Sequence, residues 1–318
     1  MGINLQEHLQ EVLNTHKMAN IDGLLKKYSD KREEIKTALM EHYSTDVYTP
    51  FNSGSYAKHT AINIKFDLDL VVPFKKSSFS TLEKMFNDVF EFLEDKYKDI
   101  AEVRRQKVSI GVLFPEDSDG EVINIDIVPG RELAEDDYID SKDLNLFFNE
   151  GLGLFQKNSY LKTNIHNQID HIKGKVNERM IIRLLKIWKH SNSKNYKSFF
   201  LELVTIKAFD KSSISGNLWE KLKGVLSYIK DNVTKDDFTL VDPGNTNNKV
   251  SDSLTEYERA LLSSEMEMLI SNIESNGENI KFYFPLNEEF EEKSSNTGYG
   301  VKGPIVIKSI PSDNERFG

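Results

Sequence analysis

The sequence predicts an α+β fold, and three observations carry that prediction. Helical periodicity fills the N-terminus and most of the second half. Between them lie short runs with the period-2 alternation of strands. Helix and strand mixed in this order suggest an α+β domain.

The elements follow in order. Residues 5–43 read as helix, with Leu5, Leu9, Val12 and Leu13, then Ile21, Leu24, Leu25 and Tyr28, then Ile35, Leu39, Met40 and Tyr43 at helical spacing. Ile21-Asp22-Gly23 is the expected interruption. Asn52-Ser53-Gly54-Ser55 is a turn cluster. Phe66 to Val72 alternates and reads as a half-buried strand. A helix follows whose buried face is Leu82, Met85, Phe86, Val89, Phe90 and Leu93. Val103 to Phe114 is read as one strand, Pro115 to Gly120 as a turn, and Glu121 to Val128 as the return. Glu116-Asp117-Ser118-Asp119-Gly120 lacks the ligand spacing of a calcium loop. Arg104, Arg105 and Lys107 are expected to guard a sheet edge with charge.

Beyond about residue 155 the pattern is helical. Met180, Ile181, Leu184, Leu185 and Trp188 form one apolar stripe, and helices are expected over Leu201 to Phe209, Leu218 to Ile229 and Tyr257 to Ile273. Val241 to Val250 is a turn-rich break. The last forty residues are polar, carry Gly298, Gly300 and Gly303, and end near Ile305-Val306-Ile307. The division this implies is 1–155 for a strand-bearing core with its N-terminal helices, and 156–318 for a mostly helical domain.

Composition narrows the function classes. The 318 residues are 38% hydrophobic and 29% charged, ample for a sizeable core. With no cysteine there is no disulfide, thiolate site or thiol nucleophile. The first residues lack the apolar run of a signal peptide, and no segment approaches the roughly 20 apolar residues of a membrane span. A cytoplasmic protein without a membrane partner is expected. The net charge of −10 disfavours duplex nucleic acid as a general partner, though not a local basic cleft.

The chemistry is concentrated in Gly54-Ser55-Tyr56-Ala57-Lys58-His59-Thr60 and Phe66-Asp67-Leu68-Asp69-Leu70-Val71-Val72. Residues two apart on a strand share a face, so Asp67 and Asp69 project together. Neighbouring carboxylates repel, and burial makes them costly unless cations neutralise them. In Val122-Ile123-Asn124-Ile125-Asp126-Ile127-Val128, Asp126 lies on the face opposite Ile123, Ile125 and Ile127. If the two strands pair, three carboxylates converge. Such a set suits two Mg2+ ions, with Mn2+ as a substitute, roughly 3.5–4 Å apart in phosphoryl transfer. Gly54 allows close backbone approach to a phosphate, and Ser55 offers an N–H and a hydroxyl. His59 and His190 are read as structural or surface residues, and Lys58 as surface.

Gly-Ser, an Asp-x-Asp strand about a dozen residues later, and a further Asp are the signature of the DNA polymerase β-like nucleotidyltransferases. Gly54-Ser55-Tyr56 with Thr60, Asp67-Leu68-Asp69-Leu70-Val71-Val72 and Ile125-Asp126-Ile127-Val128-Pro129 resemble the bacterial CD-NTases, relatives of cyclic GMP-AMP synthase and oligoadenylate synthase. Arg183-Leu184-Leu185-Lys186-Ile187-Trp188-Lys189 and Lys197-Ser198-Phe199-Phe200-Leu201-Glu202 resemble the segments whose lysine and serine hold the triphosphate tail. Val241-Asp242-Pro243-Gly244-Asn245-Thr246-Asn247-Asn248 resembles a turn that oligoadenylate synthases carry near the active site.

The resemblance spans roughly residues 45–250. It implies a two-lobed nucleotidyltransferase fold with a mixed-sheet catalytic core, N-terminal brace helices and a C-terminal helical domain. The implied metal ligands and catalytic residues are Asp67, Asp69 and Asp126, and the implied nucleotide-binding residues are Gly54, Ser55, Lys186 and Ser198. The implied reaction condenses nucleoside triphosphates such as ATP and GTP into a cyclic di- or trinucleotide. That second messenger of antiphage (CBASS) defence would be read by a separate effector, with a regulatory protein as a further partner. Two other readings stand beside it: transfer of a nucleotide to an RNA, protein or small-molecule acceptor, and a non-catalytic nucleotide-binding regulator. Against the last, the acidic triad is complete.

Overall fold

The computed structural model describes residues 2–149 and 159–291. The chain opens with two helices, α1 (Leu5–Thr15) and α2 (Asp22–Tyr43). The break between them spans His16 to Ile21, slightly ahead of the expected Ile21-Asp22-Gly23. Asn4 caps α1 by accepting from the backbone N–H groups of Gln6 and Glu7. Then come β1 (Phe51–Ser53), the single turn α3 (Gly54–Ala57), β2 (Leu68–Phe74), α4 (Leu82–Tyr97), β3 (Glu102–Arg105), β4 (Ile110–Phe114) and β5 (Ile123–Glu132). The short α5 (Tyr138–Ser141), β6 (Leu144–Phe148) and β7 (Ser159–Thr163) complete this part.

These strands form one seven-stranded mixed sheet. Its main path runs β1-β2-β5-β4-β3, and β6 joins β5 and carries β7 outside it. Only β2 and β5 pair in parallel; the other pairings are antiparallel. Both central strands are buried along their whole length, so β2 is not the half-buried strand its alternation predicts. The expected strand over Val103 to Phe114 is two strands, folded back where Gln106 N–H donates to the Ser109 carbonyl at 2.9 Å. The resulting β3 is the sheet edge, and Arg105 lies over the Phe90 ring.

The second half is built from α6 (Ile165–Ile172), α7 (Val176–Ser191), α8 (Ser198–Lys211) and α9 (Leu218–Asn232). The break at residues 241–250 is a small hairpin, β8 (Val241–Asp242) and β9 (Asn245–Lys249). It is followed by α10 (Glu256–Ser275) and the short α11 (Ile280–Tyr283). Capping boxes open α9 at Asn217 and α10 at Thr255.

Among the described residues there are two main hydrophobic cores. One lies between α2, α4 and the sheet, around Tyr28, Leu39, Phe74, Phe86 and Ile125. The other lies among α7 to α10, around Leu184, Trp188, Phe200, Leu226 and Met266, and takes in Leu9, Val12 and Leu13 of α1. The two N-terminal helices therefore serve different cores, and their junction ties the halves together. The expected division at residue 155, and Gly298, Gly300, Gly303 and Ile305 to Ile307, lie outside the described residues. Among the described residues no helix is long and apolar enough to cross a membrane.

Candidate active site

A cleft of about 900 Å³, measured to its open mouth, lies where the sheet meets the helical half. Ser53, Gly54 and Ser55 line it from the β1–α3 junction, Asp67 and Asp69 from the start of β2. Lys186 and His190 enter from α7, Ser198, Phe199 and Glu202 from α8, and Ile165 and Gln168 from α6.

The parallel pairing of β2 with β5 sets Asp69 directly beside Asp126. Both are buried, at 2% and 1% exposure. Asp67 precedes the strand, two residues back on the same side, and is half-buried in the cleft wall. Asn124 and Gln106 donate to one oxygen of Asp126 at 3.2 and 3.3 Å. Gly111 makes room for Gln106, since a Cβ there would come within 2.8 Å of its amide nitrogen. Among the described residues no three acidic or imidazole groups are gathered into a preformed cluster. Strand pairing brings Asp69 and Asp126 together, and Asp67 lines the same cleft as Asp69.

Burial, with Asp126 as neighbour, holds the Asp69 carboxyl well above its ordinary range. Burial likewise pushes Asp126 up to about 6, against the lowering pull of Asn124 and Gln106. The metal-free fold therefore retains protons that the unfolded chain has released. Between the ordinary 3.8 and about 6 the folded state binds more protons, so stability falls as pH rises through that window. The fall belongs to the pair, whose two protons titrate together. Melting of chelator-treated protein from pH 4 to 7 is expected to show it, and Asp126→Asn to flatten it. An unchanged slope in that variant would show that the pair does not carry this burden.

Gly54 is placed against the same pair. Its φ is +65°, and a Cβ would stand 1.6 Å from Asp69 Oδ2, so both conformation and space require glycine. The helical turn that Gly54 opens is only four residues long, and Ser55 is its second residue. Any phosphate contact there rests on the Ser55 N–H and hydroxyl. Fully buried carboxyls, half-buried Asp67 and a backbone pressed against Asp69 make an all-oxygen donor set. It fits a hard divalent cation such as Mg2+ or Mn2+.

The helical wall brings the basic groups. Lys186, 7% exposed, donates to the Thr60 carbonyl at 3.0 Å and its hydroxyl at 3.1 Å. Lys189 Nζ reaches the Ser198 hydroxyl at 3.5 Å. The structure thus brings Gly54, Ser55, Lys186 and Ser198 around one cleft with Asp67 and Asp69. Lys58 is not a surface residue: it is 6% exposed, donates to Glu202 at 2.8 Å and lies over the Phe199 ring. His190 lines the cleft, whereas His59 is exposed. The Asp117–Asp119 turn is held by Lys27, which pairs with both carboxylates.

Sequence reasoning missed Gln168 and Glu202. Asp242 accepts from Gln168 at 2.9 and 3.2 Å, from the Gly244 N–H at 2.7 Å and from Asn248 at 3.2 Å. The Asp-Pro-Gly turn therefore stands behind the cleft wall, near the site, as its resemblance implied. No local signal singles out a glutamine in the middle of an amphipathic helix.

The Second Messenger Oligonucleotide or Dinucleotide Synthetase domain family (SMODS) matches residues 4–138. The CBASS oligonucleotide cyclase CdnC of Escherichia coli strain KTE188 is 25% identical over 257 residues, 71% of this chain and 76% of that protein. CdnC of E. coli MS115-1, solved with HORMA-deltaN, superposes with a TM-score of 0.65 at 18% identity, covering 85% of this chain and 90% of that one. The same protein with ATP gives 0.66 at 19% identity, covering 85% and 91%. The Bradyrhizobium diazoefficiens CD-NTase CdnG in complex with GTP gives 0.68 at 14% identity, covering 89% and 95%. By the synthetase-domain match over its first part and a relative that shares most of its length, this chain is similar to the CBASS oligonucleotide cyclases, and it shares the fold of the bacterial CD-NTases.

Proposed function

We propose that this chain condenses nucleoside triphosphates into a cyclic di- or trinucleotide that serves as a CBASS second messenger. The observation that carries the reading is Asp69 beside Gly54 in the cleft wall, backed by buried Asp126 on the next strand, with Lys186 and Ser198 supplied from the helical side. The triphosphate tail lies against Ser55, with Lys186 and Ser198 at its far end. Asp67, Asp69 and Asp126 would hold two divalent cations, Mg2+ in the first instance, which when bound would supply charge neutralisation at the attacking and leaving oxygens. In this reading Asp126 draws the proton from an acceptor hydroxyl. The hydroxyl oxygen then bonds to the α-phosphorus, and pyrophosphate leaves.

Thr60 orients Lys186 through two hydrogen bonds, so the cation is aimed before substrate arrives. Related proteins supply the substrates and partners of this reading: CdnC has been solved with ATP and with HORMA-deltaN, and CdnG with GTP. ATP and GTP are the first substrates to try, and a HORMA-type protein the first regulatory partner. The net charge of −10 favours such a protein over duplex nucleic acid as the activating signal. A separate effector reads the product.

Pyrophosphate stoichiometry tests ring closure. A ring releases one pyrophosphate per nucleotide incorporated, and a linear product one fewer than its nucleotides. Equal amounts are the expected result with Mg2+ and a mixture of ribonucleoside triphosphates. One missing pyrophosphate per product molecule would replace the cyclase reading with a linear one. Incorporation into an added RNA or protein would favour the macromolecular-acceptor reading.

A further inference from the structure

Gln168 stands apart from the rest of the cleft lining. It is a neutral amide on a wall otherwise rich in charge, one helical turn from Ile165 on the same face of α6. An apolar side chain beside a neutral amide suits a flat heterocycle better than a phosphate. Behind it sits Asp242, 4% exposed, whose four hydrogen bonds all come from neutral donors. That carboxylate makes the surroundings of Gln168 unfavourable for a phosphate.

The same carboxylate fixes which way the amide faces. Asp242 can only accept, so the nitrogen of Gln168 must point toward it. Both carboxylate oxygens take that nitrogen, at 2.9 and 3.2 Å. What remains of the amide for a ligand is its carbonyl oxygen, an acceptor. The hairpin that carries Asp242 is itself pinned. A Cβ at Gly244 would come within 2.6 Å of the carbonyl of Asn164, the residue that caps α6. The Gly244 N–H and the Asn248 amide hold Asp242 from its other sides.

We propose that Gln168 reads the nucleobase in this cleft and selects a base bearing an amino group, with Asp242 as the positioning residue that keeps the amide carbonyl turned toward the base. This rests on the reading of the cleft as a nucleoside triphosphate site. A base that offers an N–H donor satisfies the carbonyl. One that lacks the amine leaves a partly buried acceptor unpaired, which is where selectivity of this kind comes from.

Binding without turnover is the direct test, by calorimetry in calcium buffer. ATP, GTP and CTP are each compared with the triphosphate that lacks the amine: purine riboside, inosine and 2-pyrimidinone riboside triphosphates. The wild-type protein is expected to prefer the amino-bearing member of at least one pair by roughly tenfold or more. Gln168→Leu and Asp242→Asn should bring that ratio within about threefold of unity while the melting temperature shows a folded protein. The reciprocal pair Gln168→Glu/Asp242→Asn again presents an acceptor to the cleft and should recover the preference, because the amide introduced on the hairpin then donates to the carboxylate introduced on α6. Equal binding by the wild type, or a ratio that survives Gln168→Leu, would overturn the inference. Product formation from triphosphates is followed in parallel. Turnover without discrimination sinks the role of Gln168 alone, discrimination without turnover sinks the synthase reading alone, and no binding of any triphosphate sinks both.

Discussion

Asp67→Asn/Asp69→Asn protein is expected to lose product formation by at least ~10³-fold, the scale of a metal site worth several kcal/mol to the transition state. The metal-free variant should nevertheless be more stable than wild type above pH 7. Asp69 is buried beside Asp126 in adjacent strand positions, and both carboxyls are held above their ordinary range. Replacing one by a neutral amide of the same shape removes a desolvated charge and its repulsion, a gain on the order of 1–3 kcal/mol. Activity and stability moving in opposite directions marks residues kept for chemistry at a cost to the fold. Melting curves in chelator, with single-turnover assays in Mg2+, separate the two effects. A variant that loses activity only because it unfolds would contradict this assignment.

The second large effect concerns the ion pair that joins the two halves across the cleft. Lys58 follows the Gly54-Ser55 turn, and Glu202 sits on α8 one turn after Ser198. Both are buried, so removing one leaves the other as an uncompensated buried charge. Lys58→Met is expected to destabilise the protein by about 3–5 kcal/mol, lowering its melting temperature by roughly 10 °C. Lys58→Met/Glu202→Leu should recover most of that loss, because a buried pair is often no better than a well-packed apolar one. The double variant is also expected to bind triphosphate more weakly, since the pair sets the Gly54-Ser55 turn against the wall that carries Ser198. Equal stability of the single and double variants would show that the pair is not energetically closed to solvent.

The strongest sequence signals were those whose physics is local. Asp69 and Asp126 each sit on an alternating strand, and the pairing of those strands needed only their proximity to be right. Strand ends were less legible, and prolines explain the error. β2 runs to Phe74 through Pro73, and β5 to Glu132 through Pro129. Proline ordinarily marks a strand's end because it cannot donate to a ladder. Here Pro73 lies beyond the end of β1, and Pro129 falls where β5 has left β4 and not yet met β6. The missing N–H groups therefore cost no ladder bond on those sides. The turn between β3 and β4 has no glycine or proline to announce it, and is held by Ser109 donating to Gln106.

Long-range partners were the least legible. Lys58 reads as a surface lysine until Glu202, 144 residues later, is brought beside it. Gln168 acquires significance only from Asp242, 74 residues away. Lys186 shows the intermediate case. The resemblance singles it out, and only the fold shows that Thr60, 126 residues earlier, draws it inward at the cleft.

Mass analysis of the product tests the central claim most directly. Purified protein with the four ribonucleoside triphosphates and Mg2+ or Mn2+, and with a HORMA-type partner supplied where the chain alone is silent, is treated with phosphatase and examined by mass spectrometry. A phosphatase-resistant species with the mass of a cyclic oligonucleotide, absent from Asp67→Asn/Asp69→Asn protein, is the predicted result. The same species from the doubly substituted protein, or only mononucleotides from the wild type under every one of these conditions, would contradict the account.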